Sequence, residues 1–557
     1  MYRPLVSSEK LILLVSLYIA SIGNLAFWNN LLTRLDYSSI TVAKGVFVLN
    51  FFLVIVLLLT LVFAIAGQNK WLKSLLSFFL LLTAVISYFT SEFGIIFDKE
   101  MIRNIAENIA EQNVNEAIEL FSPSLVLHVF LLGIVPAAAL FWCRISPENF
   151  RKLILNRAIL VFSLFAVALT LFISNNKFST YFIRENEKVL VYVNPVYPLV
   201  SIKKYVKRRA KLNEEFHVVG TDAIKDKHTG RTVGIFVIGE TARADHFSLN
   251  GYHRRTNPVT AGINNLVNFT NVYSCGTSTA YSVPCMFSFL DHEEYSPENA
   301  RQYSNVLDVL TYAGIKTIWE ENNSGCKGVC KRIEEINLLK YPDKNSAFYH
   351  DGEYFDEAML EYIDEVIEKN RDNDVLLVMH TLGSHGPLYY RRVPEEHTRF
   401  RPYCRKSTPQ DCSTEEIVNA YDNTILYTDY FLGKIIDRLQ RPGNQFDSFM
   451  MYVSDHGESL GENGIYLHGL PYLLAPEAQI HVPMMMWFSD SYIVDNRLNI
   501  GKIRKVAGNY FSHDNLTHTL LRLFHIRTDL YKNSLDILYT REVAENLSPE
   551  INNRTKM

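Results

Sequence analysis

Five apolar stretches occupy the first third of the chain, at residues 11–31, 42–66, 71–89, 125–142 and 159–173. Most approach the roughly 20 residues a helix needs to cross the hydrocarbon core of a bilayer; the last is the shortest. Inside that core each backbone amide must be satisfied within its own segment, so these stretches are expected to be helices. The whole chain is 48% hydrophobic and 20% charged. Because the excess sits in the first third, the rest reads as a separate soluble part. A chain of 557 residues also exceeds what one core accommodates. The first stretch lacks a small-residue cleavage site and further spans follow it, so it reads as a retained anchor.

Basic loops stay on the cytoplasmic side of a membrane. Lys70 and Lys73 lie between stretches two and three, and Arg144, Arg151, Lys152 and Arg157 between four and five. Arg3 and Lys10 place the N-terminus on the same side. Five crossings then put everything after about residue 175 on the far side, the periplasm in a Gram-negative bacterium. The cysteines agree. Six of the seven fall in the soluble part as close pairs, Cys275/Cys285, Cys326/Cys330 and Cys404/Cys412, while Cys143 is alone. In an oxidising compartment such pairs are most simply disulfides, although six cysteines allow other connectivities.

The expected organisation is a five-helix transmembrane domain at 1–175, an interfacial helix and linker at 176–231, and a periplasmic catalytic domain at 232–557. The second segment carries the basic run Lys203, Lys204, Lys207, Arg208, Arg209 and Lys211, suited to anionic headgroups. The third alternates short apolar runs (233–238, 315–319, 375–379, 449–453, 484–488) with amphipathic stretches (358–368, 417–439). That alternation implies an α/β fold with a mostly parallel sheet covered on both faces. Between stretches three and four, Asn104-Ile105-Ala106-Glu107 is repeated as Asn108-Ile109-Ala110-Glu111. Four residues add just over one helical turn, a rotation of about 40°.

Chemistry-bearing residues follow the apolar runs. Residues 233–238 lead into Gly239-Glu240-Thr241, residues 375–379 into His380-Thr381-Leu382-Gly383-Ser384-His385, and residues 449–453 into Ser454-Asp455-His456-Gly457 with His468 beyond. Ligands in open α/β sheets sit at the carboxyl ends of strands. Carboxylates and imidazoles there suit Zn²⁺, and a catalytic site leaves one position open. Glu240, Asp455 and His456 are the candidate metal set, with Thr279 as a fourth, reactive ligand. Metal coordination favours an alkoxide and polarises a phosphoryl oxygen. His385 and His468 are candidates for a second metal, for phosphate binding or for proton transfer. Thr277, Ser278 and Ser282 stand beside Thr279 in the same cysteine-bracketed loop and remain rivals as nucleophile. Asn323 and Lys327 follow the run ending at Trp319 and could hold phosphate oxygens.

Three stretches carry a family resemblance: Gly239–His246, Ser274–Met286 and Tyr452–Gly469. In them the chain resembles the phosphoethanolamine transferases that modify lipid A, including the mobile colistin-resistance enzymes. The resemblance covers nearly the whole chain. It implies a catalytic domain of the alkaline phosphatase and sulfatase superfamily. It also implies a covalent phosphoethanolamine intermediate on Thr279, and Zn²⁺ on Glu240, Thr279, Asp455 and His456. It places Asn323, Lys327, His385 and His468 around the substrate group; Ser278, beside Thr279, is a further candidate to bind substrate. In the loop after the third span it implicates Phe93, where some members have Tyr, either Asn104 or Asn108, and Glu116.

The implied donor is phosphatidylethanolamine, with diacylglycerol released, and the implied acceptor is a lipid A phosphate. Masking that phosphate with an amine would weaken attraction for cationic peptides such as polymyxin. The chain is expected to act as a monomer in the inner membrane. Rival readings are the same chemistry on a core sugar or a periplasmic protein, a phosphoglycerol transferase, and a membrane-anchored sensor or scaffold. The loop lacks the Cys-x-Pro-x-Arg pattern of a sulfatase. A net charge of -4 offers nothing to nucleic acid. The apolar stretches carry few of the charges that an ion path requires.

Overall fold

The computed structural model describes residues 3–35, 41–67, 70–110, 119–147, 149–210, 215–226, 230–291, 294–441 and 446–539. Glu116, Lys211 and the chain beyond residue 539 lie outside the described residues. The chain forms two compact units, Met1–Ile102 with Phe121–Val206, and Arg103–Leu120 with Lys207–Met557.

The first unit is helical. It contains α1 (Ser8–Ser21), α2 (Leu25–Arg34), α3 (Val42–Ala66), α4 (Leu72–Phe93), the start of α5 (Lys99–Ala110), α6 (Pro123–Val129), α7 (Val135–Trp142) and α8 (Phe150–Ser174). Among the described residues, five helical segments are long and apolar enough to cross a membrane: Ser8–Arg34, Val42–Ala66, Leu72–Phe93, Pro123–Trp142 and Phe150–Ser174. Leu49, Leu58, Phe162 and Phe165 stay exposed on them. Such an apolar surface suits lipid rather than water. The fifth span begins earlier than the hydropathy suggested. Arg151, Lys152 and Arg157, expected in a loop, lie in the first two turns of α8. Arg157 is buried there because its guanidinium donates to the carbonyls of Ala64 at 2.9 Å and Gly67 at 2.6 Å. Between α1 and α2 the helix tightens at Ile22–Asn24. Asn24 and Asn194 clasp one another at that break: the Asn24 amide donates to the Asn194 carbonyl, and the Asn194 N–H donates back, each at 2.7 Å. In a low-dielectric surrounding, such satisfied amides are worth more than at a surface.

After the fifth span the chain continues into α9 (Asn176–Glu185) and α10 (Val196–Arg209). Lys203, Lys204, Lys207 and Arg209 are exposed on α10.

The second unit is built on an eight-stranded sheet. Its strands are β1 (Thr232–Gly239), β2 (Leu266–Tyr273), β3 (Lys316–Glu321), β4 (Glu334–Asn337), β5 (Val375–His380), β6 (Asp447–Ser454), β7 (His481–Phe488) and β8 (Phe511–Ser512). Their order is β8-β2-β7-β6-β1-β5-β3-β4. All neighbours are parallel except β7, which runs antiparallel to β6 and β2. Strands β1, β5 and β6 are buried at each residue. This is why they read as unbroken apolar runs rather than alternating ones. One face packs Phe236, Ile238, Val378 and Met451 against α12 (Val306–Tyr312) and α15 (Asp514–Leu523). The other packs Val233, Ile235, Leu377 and Met450 against α13 (Leu360–Lys369) and α14 (Thr414–Leu439). Each fully buried Leu, Ile, Val or Phe contributes roughly 1.5–3 kcal/mol to this sandwich. Helix α14 starts at a capping box in which Ser413 and Glu416 satisfy each other's backbone amides. Three disulfides join Cys275 to Cys285, Cys326 to Cys330 and Cys404 to Cys412.

Register places the site. Gly239 pairs with Ser454, and His380 pairs with both Ile238 and Glu321. The four parallel strands β6, β1, β5 and β3 therefore end at one edge, and the candidate residues follow directly.

Glu320 breaks the apolar pattern. It is fully buried in β3, neither carboxylate oxygen has a hydrogen-bond partner, and burial pushes its carboxyl well above the model-compound value of 4.5. A raised folded value means stability is greatest below 4.5 and falls as pH rises toward that folded value. Glu320→Met should therefore raise the Tm of the full-length protein at pH 8, by about 1–3 kcal/mol in stability. The gain should shrink toward pH 5. A gain that is absent, or identical at both pH values, would contradict this account.

Candidate active site

Helix α11 (Thr279–Met286) begins at Thr279, directly after the extended residue Ser278. The loop preceding it is fastened at several points. The Cys275–Cys285 disulfide spans it, Thr277 Oγ1 donates to the Leu470 carbonyl at 2.6 Å, and Gly469 N–H donates to the Thr277 carbonyl at 2.8 Å. Thr277 is thereby occupied elsewhere. Thr279 Oγ1 instead donates toward Glu240 Oε2 at 3.1 Å and lies 3.4 Å from His456 Nε2. Among the described hydroxyls of this loop, it is the one with contacts to both residues.

Glu240 follows β1 and Asp455 follows β6, so the Gly239–Ser454 pairing sets the two carboxylates side by side. Asp455 Oδ1 accepts from the His456 N–H at 2.7 Å and the Thr241 N–H at 3.3 Å, while Oδ2 is buried without a hydrogen-bond partner. Glu240 Oε2 accepts from the Asn323 amide at 2.8 Å, and the same amide donates to the Thr381 carbonyl at 2.8 Å. His456 Nδ1 lies 3.0 Å from the Gly457 carbonyl. That bond fixes the proton on Nδ1 and leaves the Nε2 lone pair facing the carboxylates. Gly457 has no room for a side chain, since a Cβ there would fall 2.0 Å from the Ala478 carbonyl oxygen.

These donors fit a metal ion. Glu240, Asp455 and His456 form a fully buried group whose ligand atoms lie within 4.8 Å of one another. His456 Nε2 is 3.4 Å from Glu240 Oε1 and 3.3 Å from Asp455 Oδ2. A tetrahedral ion with bonds of about 2.0–2.1 Å has donor–donor edges of about 3.3–3.4 Å. Electrostatics point the same way. Burial, then the neighbouring Asp455, push the Glu240 carboxyl well up, while burial also raises Asp455 and pulls His456 well down. A bare pair of buried carboxylates is costly, and a cation between them offsets that cost.

Two histidines complete the surroundings. The ring of His468 lies 4.5 Å from that of His456 and 5.5 Å from that of His385, centroid to centroid. His468 Nδ1 meets Glu458 Oε2 at 3.0 Å, and Glu458 Oε1 accepts from the Tyr389 hydroxyl at 3.1 Å. Burial pulls His385 well below its ordinary value. Its loop is pinned by Asp356, which accepts from the N–H groups of Leu382 and Gly383 at 2.8 and 3.0 Å. Gly383 has φ +53° and packs its Cα against the Glu240 backbone, where a Cβ would be 2.9 Å away.

Lys327 is buried, with φ 50°, between the cysteines of the Cys326–Cys330 disulfide. Its ammonium donates to the Ser324 carbonyl and, at 3.4 Å, to Asn108 Oδ1. Of the two repeated asparagines, Asn108 is the one that meets Lys327; Asn104 lies one turn earlier on α5 and is half-buried. Phe93 closes α4 in the first unit, buried against Tyr88 and Phe89. Glu116 falls outside the described residues.

Sequence reasoning missed Glu458, Tyr389, Asp356 and Glu321. Glu321 accepts from the N–H groups of Asn323 at 2.7 Å and Gly325 at 3.1 Å, shaping the loop that carries Asn323 and Lys327. Glu458 and Glu321 had a usable signal, since each follows closely on an apolar run already singled out. Asp356 and Tyr389 had none, being remote in sequence from what they support.

Comparison with known proteins supports the geometry. Residues 232–526 match the Sulfatase family, and residues 55–210 match the family described as Phosphoethanolamine transferase EptA/EptB. Phosphoethanolamine transferase EptA of Escherichia coli K12 is 36% identical over 557 residues, covering 98% of this chain and 99% of its own. Phosphatidylethanolamine transferase Mcr-1 of Escherichia coli is 34% identical, covering 95% and 97%. The structure of the integral membrane lipooligosaccharide phosphoethanolamine transferase A from Neisseria meningitidis superposes with a TM-score of 0.91 at 34% identity, over 96% of this chain and 98% of that one. A five-helix membrane part, a sulfatase-like α/β domain and near full-length similarity converge on one conclusion: the chain belongs to the EptA and Mcr family of phosphoethanolamine transferases.

Proposed function

We propose that this enzyme moves phosphoethanolamine from phosphatidylethanolamine to a phosphate of lipid A through a covalent intermediate on Thr279. The observation that carries this reading is the Thr279 hydroxyl, 3.1 Å from Glu240 and 3.4 Å from His456 at the convergence of buried strand ends. The acceptor class is supported by the similarity to a protein named for lipooligosaccharide. Glu240, Asp455, His456 and the Thr279 oxygen would hold Zn²⁺, which when bound would lower the cost of ionising that hydroxyl and offset charge on the transferred phosphoryl group. One such ion fits the donor set described above.

The chain's own groups do the rest. Thr279 Oγ1 attacks the phosphorus of the donor, the phosphorus–oxygen bond to diacylglycerol breaks, and the proton lost by Thr279 ends on the diacylglycerol hydroxyl. A protonated oxygen of the monoanionic acceptor phosphate then attacks the same phosphorus, the bond from phosphorus to Thr279 Oγ1 breaks, and the proton which that oxygen gives up returns to Thr279. His468 carries protons in this reading, which is supported by Glu458 holding its Nδ1 side and so directing Nε2 away from that carboxylate. Lys327, Asn323, His385 and Ser278 surround the transferred group, with the buried lysine supplying positive charge to phosphate oxygens. Asn108, through Lys327, belongs to the same surroundings. The N-terminus and the loop basic residues lie on the cytoplasmic face of the inner membrane, and the catalytic unit lies in the periplasm. Adding an amine to lipid A lowers its net negative charge and hence its attraction for polymyxin.

Mass spectrometry of lipid A from cells expressing the wild type should show an added phosphoethanolamine that Thr279→Ala abolishes. An unchanged adduct in the variant would remove Thr279 from the nucleophile role. No adduct from an active wild type would move the acceptor to a core sugar or a protein. Metal analysis provides a second check. Purified full-length protein should hold about one zinc per chain, and Asp455→Asn should lose most of it together with activity. Chelation should inactivate the wild type and added zinc should restore it. Full activity in metal-free protein would defeat the zinc assignment.

A further inference from the structure

Two arginines of the second unit each join a carboxylate from residues 103–120 to a backbone carbonyl of the candidate site. Arg301 Nη2 donates to Glu107 Oε1 at 2.6 Å and to the Lys327 carbonyl at 3.2 Å. Arg392 Nη2 donates to Glu119 Oε2 at 2.6 Å, while its Nε donates to the His385 carbonyl at 2.9 Å. Glu353 accepts from the remaining Nη1 of Arg392. Lys327 and His385 are thus gripped in the same way, by acid, guanidinium and carbonyl in series. Both acids come from the stretch between the third and fourth membrane helices. Neither is among Phe93, Asn104, Asn108 and Glu116, the residues that the resemblance implicates in that region.

A guanidinium is a rigid planar fork, so one acid fixing it also fixes where its other N–H groups point. Holding a carbonyl holds the peptide plane and the Cα beside it. This matters most at Lys327, whose φ of 50° is a costly conformation for a residue with a side chain. Such conformations are strained and persist where the surroundings over-determine them. The Arg392 link is buried, at 2% side-chain exposure for the arginine and 4% for Glu119. The Arg301 link is wetter, at 37% for the arginine and 11% for Glu107. Burial works to raise the Glu119 carboxyl, to about 7, against the pull of Arg392. Ionised or neutral, that carboxyl keeps an oxygen for Nη2 to donate to, so the link survives either state.

We propose that Glu107–Arg301 and Glu119–Arg392 are positioning relays, through which Glu107 and Glu119 hold Lys327 and His385 in reach of the phosphoryl group on Thr279. This rests on the reading that Lys327 and His385 handle that group. The relays touch no substrate; they act through the residues they place.

The test is a pair of double-mutant cycles in full-length protein, with diacylglycerol release from phosphatidylethanolamine in mixed micelles as the readout. Glu119→Ala should lower kcat about 5- to 100-fold, the range that a displacement of about 1 Å produces. KM should change less than about twofold, since Glu119 does not meet the lipid. Glu119→Gln, which keeps an acceptor oxygen, should recover most of the loss, and Arg392→Lys should not. In a His385→Ala background, Glu119→Ala should add little, because the residue it positions is gone. Glu107→Ala should behave likewise against Lys327→Ala, with a smaller effect because the link is more exposed. A full additional loss in the His385→Ala background would overturn the relay and leave Glu119 a general stabiliser. So would a silent Glu119→Ala beside a costly His385→Ala. A silent His385→Ala would sink the site reading and the Glu119 relay with it. Should Glu119→Ala fail to fold, the exposed Arg301→Lys, crossed with Lys327→Ala, decides between the same outcomes.

Discussion

The pairing of Gly239 with Ser454 across two parallel central strands is the constraint on which the catalytic unit turns. The next residue on each strand is a carboxylate, Glu240 on one and Asp455 on the other. Strand neighbours lie about 4.8 Å apart, so the two acids cannot avoid each other's field. Both are fully buried. Two such charges left without a counter-ion would cost several kcal/mol apiece. The surrounding groups answer this cost in part, through the Asn323 amide on Glu240 and two backbone N–H groups on Asp455. The oxygen left without a partner, Asp455 Oδ2, faces His456 Nε2. What remains is a deficit of positive charge of the size and shape a divalent ion meets.

Other features follow from keeping that corner tight. Gly457 lets β6 turn against the Ala478 carbonyl, and Gly383 lets the His385 loop lie on the Glu240 backbone. A side chain at either place would push a ligand or a histidine out of line. The imidazoles are then oriented by their far nitrogens, His456 by the Gly457 carbonyl and His468 by Glu458. Glu458 is itself held by Tyr389. Each reactive side chain therefore has a second group behind it. That support separates a site able to do chemistry from one that merely contains the right residues.

Much of this was legible because the central strands are buried on both faces. Continuous apolar runs at 233–238, 375–379 and 449–453 marked β1, β5 and β6, and the ligands stood at their ends. Strand β2 was not legible, since it lies toward the sheet's edge and alternates Asn and Thr with apolar residues. The repeat at 104–111 left two asparagines equivalent in sequence. One helical turn separates them in space, and the position of Lys327 distinguishes them. The left-handed backbone at Lys327 carries no sequence signal, because Gly, Asn or Asp is the usual occupant. The acid–arginine links are hidden for another reason. Glu119 and Arg392 are 273 residues apart, and nothing local to either betrays the other.

A covalent route suits this geometry better than direct transfer between two lipids. Thr279 is only 6% exposed, at the first residue of α11. A direct displacement would require donor and acceptor, each with its acyl chains, to bring two phosphates to that one buried point together. A nucleophile divides the encounter, so that one lipid arrives, leaves its headgroup and departs before the other enters. The price is that the intermediate must be kept from water between the two visits. Groups that hold Lys327 and His385 in place would serve that end as well as catalysis. On this view Glu107 and Glu119 serve the enzyme's chemistry, although in sequence they stand between two membrane helices.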